Sequence, residues 1–575
     1  SIDTLIHAFI DHTHIDHMHP DAVIAICTAK HGKEIMKEIY GDEAARVDWL
    51  RPGFALAKQC GELVQQNPRL KAILLGKHGL ITWGESSKEC YKNTISIIEQ
   101  AQTYIERNEK REKAFGGLRY RDISKKDRLS IVGEILPFIR GLVSKQKRTL
   151  LHYDDRPDVL EFVNSFDGKR LSRKGAACPD HLVSTKLYPM FVDVAPSEMS
   201  VQNLRRALVE ETEKYVKSYE SYFNANRNSQ DVIDDPYPRI ILIPGLGMVS
   251  TGKEKRMAKI SSDIYHRSIA VIRGATAIDS YISMTPAEAF SVEYWPLERY
   301  KLTLQPKEKE LSRRVAFITG AASGIGKAIA HRFAQEGAHV VIADLNATGA
   351  RAVAEEIHKV HGEGKTLAIP LDVSDEENVV RAFRETVLEF GGIDIVVSNA
   401  GISAASPIDE TSVESWDRQM DVLAKGYFLV SREGFRVLKS QGIGGSIIFI
   451  ASKNAVASGK NVSVYSAAKA AELHLARCLA EEGGALGIRV NTICPDAVIR
   501  GSSIWSGKWR EERARAYGIR PDQIEEYYRN RTILKVSVFP EDVAEAALFF
   551  ASDRSSKTTG AMLTVDGGVS AAFAR

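Results

Sequence analysis

Val315-Ala-Phe-Ile-Thr319-Gly320-Ala-Ala-Ser323-Gly324-Ile325-Gly326 is a buried-type apolar run, a glycine turn and a helix opening at Lys327. With no Cβ in the way, backbone N–H groups at such a helix N-terminus can approach a pyrophosphate. A second apolar run, residues 339–343, ends in Asp344, eighteen residues past Gly326. A carboxylate there accepts hydrogen bonds from an adenosine ribose and repels a 2′-phosphate, so NAD is expected rather than NADP. The fold class expected from this pattern is α/β, with a doubly wound parallel Rossmann sheet in the C-terminal part.

Two further pieces extend the pattern. Ser452 precedes Tyr465 by thirteen residues, and Lys469 follows the tyrosine by four, one helical turn away on the same face. A phenol with an ordinary pKa near 10 is a poor base at neutral pH, so a neighbouring ammonium is needed to favour phenolate. With Ser398-Asn399-Ala400-Gly401, these motifs resemble the short-chain dehydrogenase/reductase family over residues 311–575. The resemblance implies that Tyr465 moves a proton to or from the substrate oxygen, that Ser452 holds that oxygen, and that Lys469 also binds the nicotinamide ribose. It carries over Gly320, Ser323, Gly324, Ile325, Gly326, Asp344, Asp372, Val373, Asn399, Ala400 and Gly401, with Tyr465 and Lys469, as cofactor-binding residues. Two positions depart from the family. Leu423 stands where an asparagine usually supports a water-mediated proton relay, and Asp496 follows Pro495 where glycine is common.

The chain's 575 residues exceed one hydrophobic core, and about three domains are expected. A formal net charge of +3 gives no reason to invoke nucleic acid or a membrane. The six cysteines are widely spaced with no CxxC pair, which fits a reducing cytoplasm. No apolar run reaches the roughly 18 residues of a membrane span. No internal repeat is visible.

The first residues hold a different chemistry. His12, His14, His17 and His19 precede Pro20 and an apolar run, residues 22–27, that reads as a strand. In an extended segment residues i and i+2 point to one side, so His17 and His19 can grip one metal ion. His78 sits in a glycine turn after the apolar run 72–75. Three imidazoles with an open position suit a catalytic Zn²⁺. The HxHP stretch and the later Lys77-His78-Gly79 turn resemble class II sugar-phosphate aldolases, which implies that His17, His19 and His78 are metal ligands. His12 and His14 match no ligand position. The family's catalytic carboxylate corresponds to Asp3 in Ser1-Ile2-Asp3. Its phosphate-cradling loops lie further upstream, so the chain is expected to begin inside a domain with its aldolase site incomplete.

The expected division is residues 1–117 as an N-terminally incomplete aldolase-like domain, 118–295 as a middle α/β region, 296–310 as linker and 311–575 as dehydrogenase. In the middle region, Gly247-x4-Gly252-Lys253 nearly makes a phosphate loop. Glu254 stands where Ser or Thr should bind Mg²⁺, so a structural strand–turn–helix is expected instead. Cys178-Pro-Asp180-His181 near Lys186 reads as fold support. The whole arrangement resembles the fused aldolase–dehydrogenases of bacterial L-rhamnose catabolism. That resemblance implies cleavage of rhamnulose 1-phosphate to dihydroxyacetone phosphate and L-lactaldehyde, then NAD-dependent oxidation of the aldehyde to lactate, in a homo-oligomer. Two other readings stay open. The dehydrogenase takes a polyol or sugar phosphate, with arginines of the insert 499–535 as phosphate clamps; or the first 117 residues are a non-catalytic, adducin-like assembly module.

Overall fold

The described residues form three sheets. The structure, a computed structural model, describes residues 3–109, 114–304, 306–506 and 508–573; the side chains of Asp3, Leu302, Ser503 and Ser506 fall outside that description. By its internal contacts the chain separates into two units: residues 1–131, 153–251 and 257–306, and residues 132–152, 252–256 and 307–575.

The first unit is built on two sheets of one design. Strands β1 (His14–Met18), β2 (Ala44–Val47), β3 (Ala72–Leu75) and β4 (Gly79–Gly84) lie in the order β1–β4–β3–β2. Strands β5 (Leu150–Asp154), β6 (Met190–Phe191), β7 (Ile240–Ile243) and β8 (Gly247–Gly252) lie in the order β5–β8–β7–β6. In each, the last two strands form an antiparallel hairpin, and the strand before them pairs parallel with its first arm. Each hairpin turns on three residues, with the middle one at positive φ: Lys77 at 55° and Gly245 at 76°. The fold therefore contains an internal duplication, against the sequence reading. The repeat lies in topology, and identity survives only in fragments such as Pro20-Asp21 and Pro157-Asp158 at the heads of corresponding helices, Asp21–Cys27 and Pro157–Val163.

Three local expectations are corrected. Residues 22–27 are helical and buried throughout. An apolar run buried on every side carries no period to distinguish helix from strand, and here Pro20 ends the extended segment. Gly247–Gly252, expected as the turn of a structural strand–turn–helix, is a second strand, and the next helix begins only at Lys255. Pro296–Thr303, expected as linker, is a helix.

The second unit is a seven-stranded parallel sheet. Its strands are β9 (Val315–Thr319), β10 (His339–Asp344), β11 (Thr366–Pro370), β12 (Ile395–Ser398), β13 (Gly445–Ile450), β14 (Ile488–Pro495) and β15 (Met562–Val565). Their order is β11–β10–β9–β12–β13–β14–β15, every pair parallel. Strands buried on both faces explain the continuous apolar runs. The winding reverses between β9 and β12, and a crevice opens at their carboxyl ends. Residues 132–152 belong to this unit: Arg140 Nη2 and Arg148 Nη1 each donate to Asp394 at 2.6 Å, holding its carboxyl below the usual range although it is buried. No helix among the described residues is long and apolar enough to cross a membrane.

Candidate active sites

In the first unit, β1 ends at Met18 and leaves His17 within the strand and His19 just beyond it, while the β3–β4 turn carries His78. Their ring centroids are 4.9, 5.0 and 5.1 Å apart, and one ligand atom from each lies within 4.8 Å of the others. Glycine at 79 is required by this approach, because a Cβ there would stand 2.5 Å from His19 Cδ2. His19 Nε2 and His78 Nδ1 are buried with no hydrogen-bond partner. Burial, then the neighbouring imidazoles, hold His78 well below its ordinary pKa, in the neutral form a metal needs. Three convergent imidazoles, with the orphaned nitrogens of His19 and His78 among them, fit a tetrahedral cation with one position open.

Asp180 Oδ2 lies 2.5 Å from His19 Nδ1. A carboxylate on the far nitrogen fixes the ring's tautomer and directs Nε2 inward. The Cys178-Pro-Asp-His segment, read from sequence as fold support, thus reaches the histidine cluster, and a separation of 161 positions hid the link. His12 pairs instead with Glu85 at 2.8 Å and stacks on Trp83, away from the cluster. The carboxylate expected from Asp3 lies outside the described residues. In the duplicate sheet the positions of His17, His19 and His78 hold Asp154, Arg156 and Leu246. Arg156 there forms an ion pair with Asp154 at 2.5 Å, so the second copy lacks an imidazole cluster.

In the second unit, Gly320 (φ 63°) and Gly324 (φ 54°) shape the turn after β9. A Cβ on Gly320 would meet Ala400 Cα at 2.8 Å, and one on Gly326 would meet Gly320 O at 2.2 Å. Thr319 Oγ1 accepts from the backbone N–H groups of Asn399 and Ala400, and Asn399 Nδ2 donates to Thr319 O, locking the two loops together. A cavity of about 900 Å³ opens here. Every residue expected to bind cofactor lines it except Gly326, whose role is packing beneath the turn. Asp344 accepts from Ala322 N at 2.9 Å and Asn346 N at 2.8 Å while lining the same cavity. A glycine cradle that side chains would fill, ending at a carboxylate, fits a dinucleotide.

Ser452, Tyr465 and Lys469 meet in that cavity. Burial raises the Tyr465 phenol above its ordinary pKa, against the opposing pull of Lys469 and a hydrogen bond with Ser452. Lys469 Nζ donates to Ile450 O and Glu472 at 3.0 Å, and lies 3.4 Å from Tyr427 Oη. Leu423 is fully buried in a π-helical turn, Asp421–Lys425, against Gly401. Glu472 escaped the sequence reading; its signal was an acidic residue three after Lys469, on the buried helix face.

Sequence comparison finds known families over both units. The pattern described as enoyl-(acyl carrier protein) reductase matches residues 320–570, class II aldolase and adducin N-terminal domain residues 1–105, and class II aldolase second domain residues 130–302. The oxidoreductase YuxG of Bacillus subtilis strain 168 is 53% identical over 575 residues, covering 100% of this chain and 84% of its own. The chain belongs to the short-chain dehydrogenase/reductase family, fused to class II aldolase domains. It is an oxidoreductase with an aldolase-type part. Over the dehydrogenase alone, D-threitol dehydrogenase of Mycolicibacterium smegmatis is 34% identical across 50% of this chain and 98% of its own. Sorbitol-6-phosphate 2-dehydrogenase of Escherichia coli K12 is 33% identical across 44% of this chain and 98% of its own.

Proposed function

We propose that this chain cleaves a ketose 1-phosphate, rhamnulose 1-phosphate, to dihydroxyacetone phosphate and L-lactaldehyde, and oxidises the aldehyde to lactate. What carries the reading is the presence in one chain of the His17–His19–His78 cluster and the Ser452–Tyr465–Lys469 set. In the first step the three histidines hold a divalent ion, zinc by their chemistry, and Asp180 keeps His19 in its ligand tautomer. The ion supplies a Lewis acid to the ketose oxygens. Asp3 is proposed, on sequence alone, as the step's carboxylate base.

In the second step NAD supplies the hydride acceptor. The aldehyde adds water to give its hydrate; the C–H hydrogen leaves as hydride and one hydroxyl proton passes to Tyr465. The acid so formed releases a second proton as the carboxylate. Ser452 orients the hydroxyl oxygen and Lys469 lowers the cost of the phenolate. The protein is proposed to work in the cytoplasm as a homo-oligomer on these small molecules, without nucleic acid or membrane. The aldolase-like, middle and dehydrogenase regions read from sequence are proposed as the working division, with residues 132–152 and 252–256 moved to the dehydrogenase unit and the rest of the middle region as the scaffold that brings Asp180 to His19.

A second reading has an observation of its own. Lys453, Arg513 and Arg531 line the dehydrogenase cavity and suit a phosphorylated polyol. Incubating the purified chain with NAD and either L-lactaldehyde or a panel of polyols and sugar phosphates separates the two. NADH and lactate from the aldehyde, absent in Tyr465→Phe, support the first; turnover of a polyol phosphate alone overturns it.

A further inference from the structure

The dehydrogenase cavity is not electrically neutral at one corner. Lys453, next to Ser452, is 7% exposed and Arg513 is 3% exposed, and both line the cavity with Tyr465. Arg513 spends its donors on neutral groups: Nη1 on Lys460 O at 2.6 Å, Nε on Tyr528 Oη at 3.3 Å and Nη2 on Tyr517 Oη. Lys453 is in no ion pair among the described residues. Arg531, beside them, pairs with Asp496. Three cations therefore share one paired carboxylate. Uncompensated buried charge is costly, and proteins tolerate it where a ligand of opposite sign completes the site.

The surroundings report the same field. Burial pushes the Tyr517 phenol up, yet a hydrogen bond with Tyr528 and the charges of Arg513, Arg531 and Lys453 bring it below its ordinary value. Position matters as much as charge. The Arg513 guanidinium lies 5.4 Å over the Trp509 ring, and that ring is 6.0 Å from Tyr465. An anion held here is separated from Tyr465 by one indole ring. Among the insert's arginines, Arg515, Arg520 and Arg529 are exposed, whereas Arg513 is buried.

We propose that Lys453 and Arg513, flanked by the Arg531–Asp496 pair, form an anion subsite that holds the charged oxygens of the dehydrogenase's substrate or product. The proposal rests on reading this cavity as the hydride-transfer site. Planar guanidinium and ammonium donors serve carboxylate and phosphate alike. A carboxylate comes from oxidising an aldehyde; a phosphate comes with a phosphorylated polyol.

The test is a titration of the NADH-loaded full chain with lactate, and separately with inorganic phosphate, read by tryptophan fluorescence from Trp505 and Trp509. Binding of either anion is expected, weakened about tenfold or more in Lys453→Gln and in Arg513→Lys, with NADH affinity unchanged. Whichever anion binds names the source. If Arg513→Lys fails to fold, Lys453→Gln still decides. Binding of neither anion, or equal binding by wild type and Lys453→Gln, overturns the subsite. NAD reduction by L-lactaldehyde is measured in parallel: turnover without anion binding removes the subsite and leaves the aldehyde reading intact, whereas anion binding without turnover does the reverse.

Discussion

Lys469 Nζ lies 3.0 Å from each carboxylate oxygen of Glu472, and both side chains are buried. Burial works against the Lys469 ammonium, but the charges of Glu472, Tyr427 and Tyr465 hold it above its ordinary range. Burial pushes the Glu472 carboxyl up to about 8, against the pull of Lys469. Lys469 Nζ also lies 5.9 Å from the Tyr465 ring centre, so the pair stands beside the phenol.

When Glu472 is ionised, its charge opposes the Tyr465 phenolate. Glu472→Gln should therefore move the rising limb of kcat/KM for oxidation to lower pH, by about one unit. An unmoved limb in a folded variant would show that Glu472 does not act on Tyr465. Stability gives an independent check. Because the folded carboxyl is raised from 4.5 to about 8, its contribution is present below pH 4.5 and lost as pH rises through 8. The thermal midpoint of wild type should fall across that window relative to Glu472→Gln.

Asp180→Asn should weaken metal binding about 10–100-fold, because His19 loses the carboxylate that fixes its tautomer. Competition with a chromogenic chelator measures this without any activity assay. Affinity equal to wild type would reduce the 2.5 Å contact to packing.

Added zinc should raise the unfolding temperature, since the folded cluster binds it and the unfolded chain does not; at a hundredfold excess over Kd the gain is about 2.7 kcal/mol. His78→Ala should abolish the shift. A shift surviving in His78→Ala would place the ion elsewhere.

Asp344→Ser should allow NADP to serve as acceptor and weaken NAD, because the carboxylate no longer repels a 2′-phosphate. The ratio of kcat/KM for the two dinucleotides reads this directly. An unchanged ratio would mean that Asp344 serves only its bonds to Ala322 and Asn346.

What could be read without coordinates was what short spacing encodes. The turn from Thr319 to Gly326, the Tyr465–Lys469 step and the alternation of His17 and His19 each depend on residues within one turn or one strand. Asp180 was hidden because its partner is far away in sequence, and the role of Arg513 because burial of an arginine has no local signature. The duplication of β1–β4 in β5–β8 was missed for a related reason. Two sheets can share pairing and turn geometry while Leu246 replaces His78 and Arg156 replaces His19, so no period survives in the residues. Glu472 was hidden as well, because an acidic residue three after Lys469 shows its burial against the ammonium only in the packed structure.

The most direct measurement is to give the zinc-loaded chain rhamnulose 1-phosphate and NAD together and to follow dihydroxyacetone phosphate and NADH at once. Both should appear in equal amounts. His78→Ala should abolish both from the ketose phosphate while still making NADH from added L-lactaldehyde; Tyr465→Phe should keep dihydroxyacetone phosphate and lose NADH. Cleavage with no NADH from wild type, or NADH from the ketose phosphate in His78→Ala, would contradict a chain that makes an aldehyde at one site and oxidises it at the other.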